Sequence, residues 1–165
     1  MEKLSFPSSI VKIEGPSFDV TTPLIIDIPT IEDWLEVTRQ RIEEGSGWSS
    51  LYNLYINGES AETIVIPSSV TEIGWSAFNN FGNIKTVILH DGVTSIGGSA
   101  FYRCIGLTSI TISASVSSIG AGAFYWFSGF PRLLLPNLIP IHGNRPFSAF
   151  RCLTTITTVG RIHIP

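Results

Sequence analysis

Between Thr63 and Leu107 the apolar and polar positions follow one phrase, written twice in succession. The first copy, TIVIPSSVTEIGWSAFNNFGNI, starts at Thr63, and the second, KTVILHDGVTSIGGSAFYRCIGL, at Lys85. A third opens at Thr108 with TSITISASVSSIGAGAFYWF, and a blurred fourth occupies Pro131 to Leu153. Apolar residues recur in fixed columns: Ile64, Val87, Ile110, Leu133 and Ile156; Ile66, Leu89, Ile112 and Leu135; Val70, Val93, Val116 and Ile139; Ile73, Ile96 and Ile119. Phe78, Phe101, Phe124 and Phe147 make an aromatic ladder, and Ile84, Leu107, Phe130 and Leu153 close each turn. Gly74, Gly97, Gly120 and Gly143 mark a corner that needs either positive φ or close backbone approach.

The same language is present earlier. LSFPSSIVKIEGPSF at 4–18 aligns without a gap on IVIPSSVTEIGWSAF at 64–78, and a strand phrase at Ile26–Pro29 follows Leu4 by close to one period. Residues 30–44 break the pattern. Thr30 is a helix cap with Asp33 at the third position after it, a weak capping box. Ile31, Trp34, Leu35, Thr38 and Ile42 then recur at helical spacing, which predicts one apolar face. Leu54–Gly58 reads as a short strand running into an Asn-Gly hairpin turn. The stretch from Ile26 to Ile64 exceeds one period and is read as a single repeat lengthened by an insertion.

A fixed period in the 20–29 range with apolar residues in register is the signature of a leucine-rich repeat array. No single repeat buries its own apolar face, so each depends on its neighbours. The expected fold is an α/β leucine-rich repeat solenoid filling residues 1–165 as one domain. Within it, 1–29 is a partial repeat and strand, 30–61 a helical insertion plus short strand, 62–153 four repeats, and 154–165 a partial repeat. An array that starts and stops in mid-repeat predicts a longer parent chain, or homo-association through uncapped ends.

Composition narrows the partners. The chain is 44% hydrophobic but only 14% charged, so its surface is dressed in Ser, Thr and Asn rather than ions. A net charge of −3 without any Lys/Arg run excludes a strongly basic nucleic-acid binder. The charge is unevenly placed: residues 1–91 hold all 13 acids and five bases, a net −8, while residues 92–165 hold no acid and five arginines, a net +5. This is either drift among solvated positions or a dipole that stacks head to tail or attracts an acidic partner. No signal peptide and no apolar run long enough to span a membrane is evident in the sequence.

Candidate chemistry is sparse. His90-Asp91 beside many serines invites a hydrolase reading, but neighbours on an extended chain point to opposite sides, and a turn explains them better. His142 and His163 lack partners at metal-ligand spacing, and two cysteines make neither a disulfide framework nor a metal site. Cys104 shares its register with Phe81, Phe127 and Phe150, which predicts a core thiol. Gly97-Gly98 and Gly120-Ala121-Gly122 follow the period and are corners rather than phosphate loops. The expectation is no catalytic residue, no cofactor and no metal.

What remains is surface. Strand alternation leaves two outward columns: Thr63, Thr86, Ser109, Arg132 and Thr155, and Val65, Ile88, Thr111, Leu134 and Thr157. A shallow Thr/Ser face with a few aliphatics suits a protein or glycan better than a small molecule. Trp75 and Trp126 fall in outward or corner registers and are candidate exposed aromatics, either anchoring an interface or padding the outer face.

The phrase (T/S)-I-x-I-P-S-S-V-T-x-I-G-x-x-A-F-x-x-C-x-x-L resembles the BspA-type leucine-rich repeat, and IEDWL at 31–35 with NLYINGE at 53–59 resembles a divergent segment found within its arrays. The resemblance implies a right-handed solenoid with a short parallel sheet on the concave side. Irregular, 3₁₀ and short helical segments would form the convex side. It also implies surface-exposed or secreted proteins of bacteria and some protists, linked to adhesion, with no catalytic residues in the repeat. The expected function is therefore a non-enzymatic protein- or glycan-binding module acting at a cell surface through its concave face. The alternative is a structural spacer or self-associating segment. The fourth copy, with His142 in the isoleucine column and Pro146 in the alanine column, departs from the pattern.

Overall fold

A computed structural model of the chain describes residues 3–5, 24–41, 51–126, 132–136 and 155–159. Its first strands are β1 (Lys3–Ser5) and β2 (Leu24–Ile28), followed by helix α1 (Ile31–Arg41) and the hairpin β3 (Tyr52–Ile56) and β4 (Glu59–Ser60). The periodic part then supplies β5 (Thr63–Val65), β6 (Glu72–Ile73), β7 (Thr86–Ile88), β8 (Ser95–Ile96), β9 (Ser109–Thr111) and β10 (Ser118–Ile119). β11 (Arg132–Pro136) and β12 (Thr155–Val159) complete the described elements.

The repeat phrase folds into three parallel tracks. In the first, β5, β7 and β9 pair with Ile64 opposite Val87 and Val87 opposite Ile110, so each residue meets its counterpart one period away. Each strand is very short, and its central β-branched residue is buried while its flanks face outward. A tight turn follows, closed by Val70 N–H donating to Pro67 O, Val93 to His90 O and Val116 to Ser113 O. The second track is β6–β8–β10, which buries Ile73, Ile96 and Ile119.

The third track is a run of turns. Ala77, Ala100 and Ala123 N–H donate to the carbonyls of Gly74, Gly97 and Gly120, at 3.4, 3.3 and 3.2 Å. Helix does not develop here, because φ turns positive at Ser76, Ser99 and Gly122, and again at Asn80, Arg103 and Trp126. Among the described residues α1 is the only α-helix. Backbone bonds tie one period to the next: Ser76, Phe78 and Asn80 N–H donate to Gly98, Ala100 and Tyr102 O, and Ser99, Phe101 and Arg103 repeat this toward Ala121, Ala123 and Tyr125.

The corner glycines answer the question the pattern raised. At Gly97 the reason is close approach, since an added Cβ would sit 2.6 Å from Trp75 N and 2.7 Å from Gly74 C. Positive φ falls just beyond the corner, at Ser76 and Ser99.

The columns between the tracks are the core. Phe78, Phe101 and Phe124 are buried and stack face to face at 5.4 and 5.5 Å, within 8° of parallel. Ile64, Val87, Val93, Ile84 and Leu107 are fully buried around them. Burying one such side chain contributes about 1.5–3 kcal/mol, and Phe101 has a ring on both sides.

Residues 24–60 occupy the place of a repeat before Thr63 without repeating its pattern. β1, β2 and β3 are parallel, with Leu4 opposite Ile26 as the spacing of their phrases predicts. The next partner of Ile26 is Leu54, not Ile64. The helix is thus inserted between β2 and β3, and β5 opens a separate ladder. Asn57 and Gly58, at φ 50° and 82°, make the expected Asn-Gly hairpin turn, and Gly58 N–H donates to the buried Asp27 carboxylate at 2.9 Å. Asp33 N–H donates to Thr30 Oγ1 at 3.1 Å, and the Thr30 hydroxyl donates back to Asp33 Oδ2 at 2.7 Å.

Trp34 docks this segment on the stack. Its Nε1–H donates to Ala77 O at 2.7 Å, and its ring meets Phe81 edge-on at 5.4 Å. Ala77 O holds the register of Ala100 O and Ala123 O, which accept from Phe78 and Phe101 N–H, so an indole supplies what a preceding repeat's backbone would. Tyr52 bridges to Phe81 as a strand would, and Asn83 presents its amide to Leu54, accepting from Leu54 N–H at 2.8 Å and donating to Leu54 O at 2.7 Å.

β11 pairs with β12 with Leu133 opposite Ile156, again one period apart. Phe18, Ile42, Phe130, Ile139, His142, Gly143, Pro146, Phe147, Cys152, Leu153 and His163 lie outside the described residues.

Candidate interaction surface

The first track carries the two outward columns. Thr63, Val65, Ile88, Ser109 and Thr111 are exposed and Thr86 is half-buried, so both columns are solvent-facing over three periods. The aliphatic members stand out: Val65 is 58% exposed and Ile88 41%. Strand pairing sets Thr63 beside Thr86 and Ser109, and Val65 beside Ile88 and Thr111. Arg132 pairs with Thr155 and Leu134 with Thr157 in the β11–β12 ladder. Lys85 and Glu62 flank the columns in an exposed ion pair of 2.8 Å, a contact of small energetic weight.

The tryptophans separate. Trp75 is half-buried rather than exposed, because Gly98, one period on, leaves room for its indole: a Cβ there would stand 3.0 Å from Trp75 Cδ1. Trp126 is 48% exposed, on the turn track, with the Arg103 guanidinium 5.2 Å from its ring and Tyr125 alongside at 6.3 Å. Ile105 is also exposed, and the repeat pattern does not single it out. Tyr102, Arg103 and Tyr125 carry no signal in the pattern either, although the tyrosines lie one period apart and stack at 5.5 Å.

His90 and Asp91 do not meet. Gly92 N–H donates to His90 Nδ1 at 2.9 Å, so Nε2 carries the ring proton and donates to Val70 O at 2.9 Å. Both ring nitrogens are therefore engaged with backbone. Asp91 instead accepts from the Ser113 hydroxyl at 2.7 Å. The pair holds a corner of the stack, and no nucleophile–base–acid relay runs through it.

Cys104 is buried, its Sγ 2.8 Å from Phe78 O, and burial pushes its thiol well above the ordinary value of 9.0. It fills the column below Phe81 as a protonated, unreactive group. Among the described residues no cluster of three or more His, Cys, Asp or Glu is placed to hold a metal ion. Among the same residues no helix is long and apolar enough to cross a membrane.

Stacked short parallel strands with one inserted helix define a repeat scaffold. A family profile for the BspA type leucine rich repeat region matches residues 51–164 in six copies, and the chain belongs to that family. Membership makes it a repeat module of a kind suited to protein interaction, from a family that is generally non-enzymatic and often surface-associated. No curated protein and no solved structure gives a significant match to the chain.

Proposed function

We propose that the chain is a non-enzymatic binding module, one array over residues 1–165, that contacts a protein or glycan partner through the outward columns of its strand track. In this reading the array is a right-handed solenoid, the strand track is its concave side, and the module serves adhesion at a bacterial cell surface. The observation that carries it is the pair of aligned, exposed columns, where Val65 and Ile88 remain open to solvent between buried neighbours at Ile64, Ile66, Val87 and Leu89. Isolated exposed aliphatics are ordinary; aligned ones flanked by Thr and Ser suit a contact face. By their place in the repeat phrase Arg132, Leu134, Thr155 and Thr157 belong to the same columns, and in a separate ladder Arg132 pairs with Thr155 and Leu134 with Thr157.

The test compares wild type with a Val65→Asp/Ile88→Asp/Leu134→Asp variant in pull-downs against extracellular and cell-surface proteins and on a glycan array. Loss of a specific partner in the variant supports the face; undiminished binding refutes it. The charge asymmetry favours a second reading, in which the segment is a spacer that associates end to end. That predicts a sedimentation coefficient that falls as salt is raised, whereas a monomer at every ionic strength argues against it.

A further inference from the structure

We infer that Tyr102, Arg103, Tyr125 and Trp126 form a second docking surface, on the turn track, for an acidic segment of a protein partner. It does not depend on the strand-face reading above.

The first support is conformational. Asn80, Arg103 and Trp126 share one register, and all three adopt left-handed backbone, at φ 66°, 53° and 65°. The inter-period bonds from Asn80 N–H to Tyr102 O (2.7 Å) and from Arg103 N–H to Tyr125 O (2.9 Å) impose this geometry. Asn tolerates it, whereas Arg and Trp adopt it at a cost. Asn80 is buried, whereas Trp126 is 48% exposed. A bulky residue kept in left-handed backbone while much of its surface stays open to solvent points to a role outside folding.

The second support is chemical. Tyr102 and Tyr125 stack at 5.5 Å and 4°, Trp126 continues beside Tyr125 at 6.3 Å, and Arg103 lies 5.2 Å from the Trp126 ring. Tyr, Trp and Arg are enriched among the few residues that dominate binding at protein interfaces, and mutual stacking holds these before a partner arrives. Tyr102 and Tyr125 are both half-buried, and Tyr125 has a ring on either side, Tyr102 and Trp126. Ring edges carry the positive end of the aromatic quadrupole, and the guanidinium adds a full charge. Residues 92–165 contain no Asp or Glu and five arginines, so the sequence around the surface is itself cationic. Carboxylates of a protein loop match the positive character of this surface.

The experiment selects a displayed random dodecapeptide library on the wild-type chain, then measures a labelled peptide from the leading group. Enrichment of Asp/Glu-containing peptides is expected, with at least tenfold weaker binding to Arg103→Gln and to Trp126→Asn. Trp126→Asn suits the left-handed backbone, so its melting temperature should match or exceed wild type, separating lost binding from lost fold. A Val65→Asp/Ile88→Asp variant should bind the peptide as wild type does, which keeps this test independent of the strand face. The inference is overturned if no acidic peptides enrich or if the variants bind equally well. It is also overturned if Trp126→Asn melts lower, or if a heparin oligosaccharide binds the same residues more tightly than the peptide.

Discussion

The periodic stack over residues 63–126 and the junction at residues 24–60 bury similar side chains by different means. In the stack a residue meets its own counterpart: Phe101 lies between Phe78 and Phe124, and each inter-period backbone bond recurs one period on. In the junction the side-chain contacts that dock it on the stack each occur once among the described residues. An indole N–H replaces a backbone donor at Ala77 O, and one side-chain amide at Asn83 replaces a strand against Leu54. Repetition makes the stack tolerant of local wear, since each repeat is held from two sides. The junction holds only if particular atoms are present.

The largest expected effect tests the stack. Phe101→Ala removes a ring packed on both faces and should destabilise the chain by about 3–5 kcal/mol, read as a fall in thermal midpoint by circular dichroism. A loss below about 1 kcal/mol would mean that the ladder does not act as a unit. Next comes a pair at one register. Gly97→Ala forces a Cβ onto the Trp75 and Gly74 backbone and should cost about 1–3 kcal/mol. Gly74→Ala meets nothing within 4 Å and should be neutral or stabilising. Equal effects would show that the close approach between periods is misplaced.

At the junction, Trp34→Phe keeps an aromatic ring against Phe81 but strips the donor from Ala77 O. It should cost about 1–3 kcal/mol, the penalty for a buried acceptor left without its partner. The smallest effect concerns Cys104. Its folded thiol holds its proton above the ordinary 9.0, so its contribution to stability is complete below that pH and declines as pH rises past it, where only the unfolded chain ionises. In a Cys152→Ser background, Cys104 should therefore resist a thiol reagent at mildly alkaline pH until the protein is unfolded. Rapid labelling of folded protein would place the thiol at the surface.

Legibility in the sequence follows the same divide. The stack can be read from the chain because each core contact joins identical or similar residues at a fixed spacing, so Ile64, Val87 and Ile110 announce one another. The outward columns follow from strand alternation. The junction is opaque: Trp34 shows as part of an apolar helix face, but nothing in the pattern links it to Ala77, far along the chain. Asn83 stands where the next period has Gly106, and an amide acting as a strand partner leaves no periodic trace. That blind spot also displaces the strand pairing, since Ile26 matches Ile64 by phrase while its ladder partner is Leu54. Trp75 reads as exposed because its accommodation depends on the absence of a side chain at Gly98. Arg103 is hidden for a related reason, since the left-handed register it shares with Asn80 and Trp126 is visible only in the backbone.

Hydrogen exchange on wild type and Trp34→Phe tests most directly whether the junction stands in for a repeat. In wild type, the amides of Ser76, Phe78 and Asn80 should be protected alongside those of Ser99, Phe101 and Arg103, one period away. In Trp34→Phe, protection should fall first over 51–62 and 76–83 and least over 109–119, because loss of one partner propagates through nearest neighbours. Uniform loss across 51–119, or no change at 76–83, would contradict it.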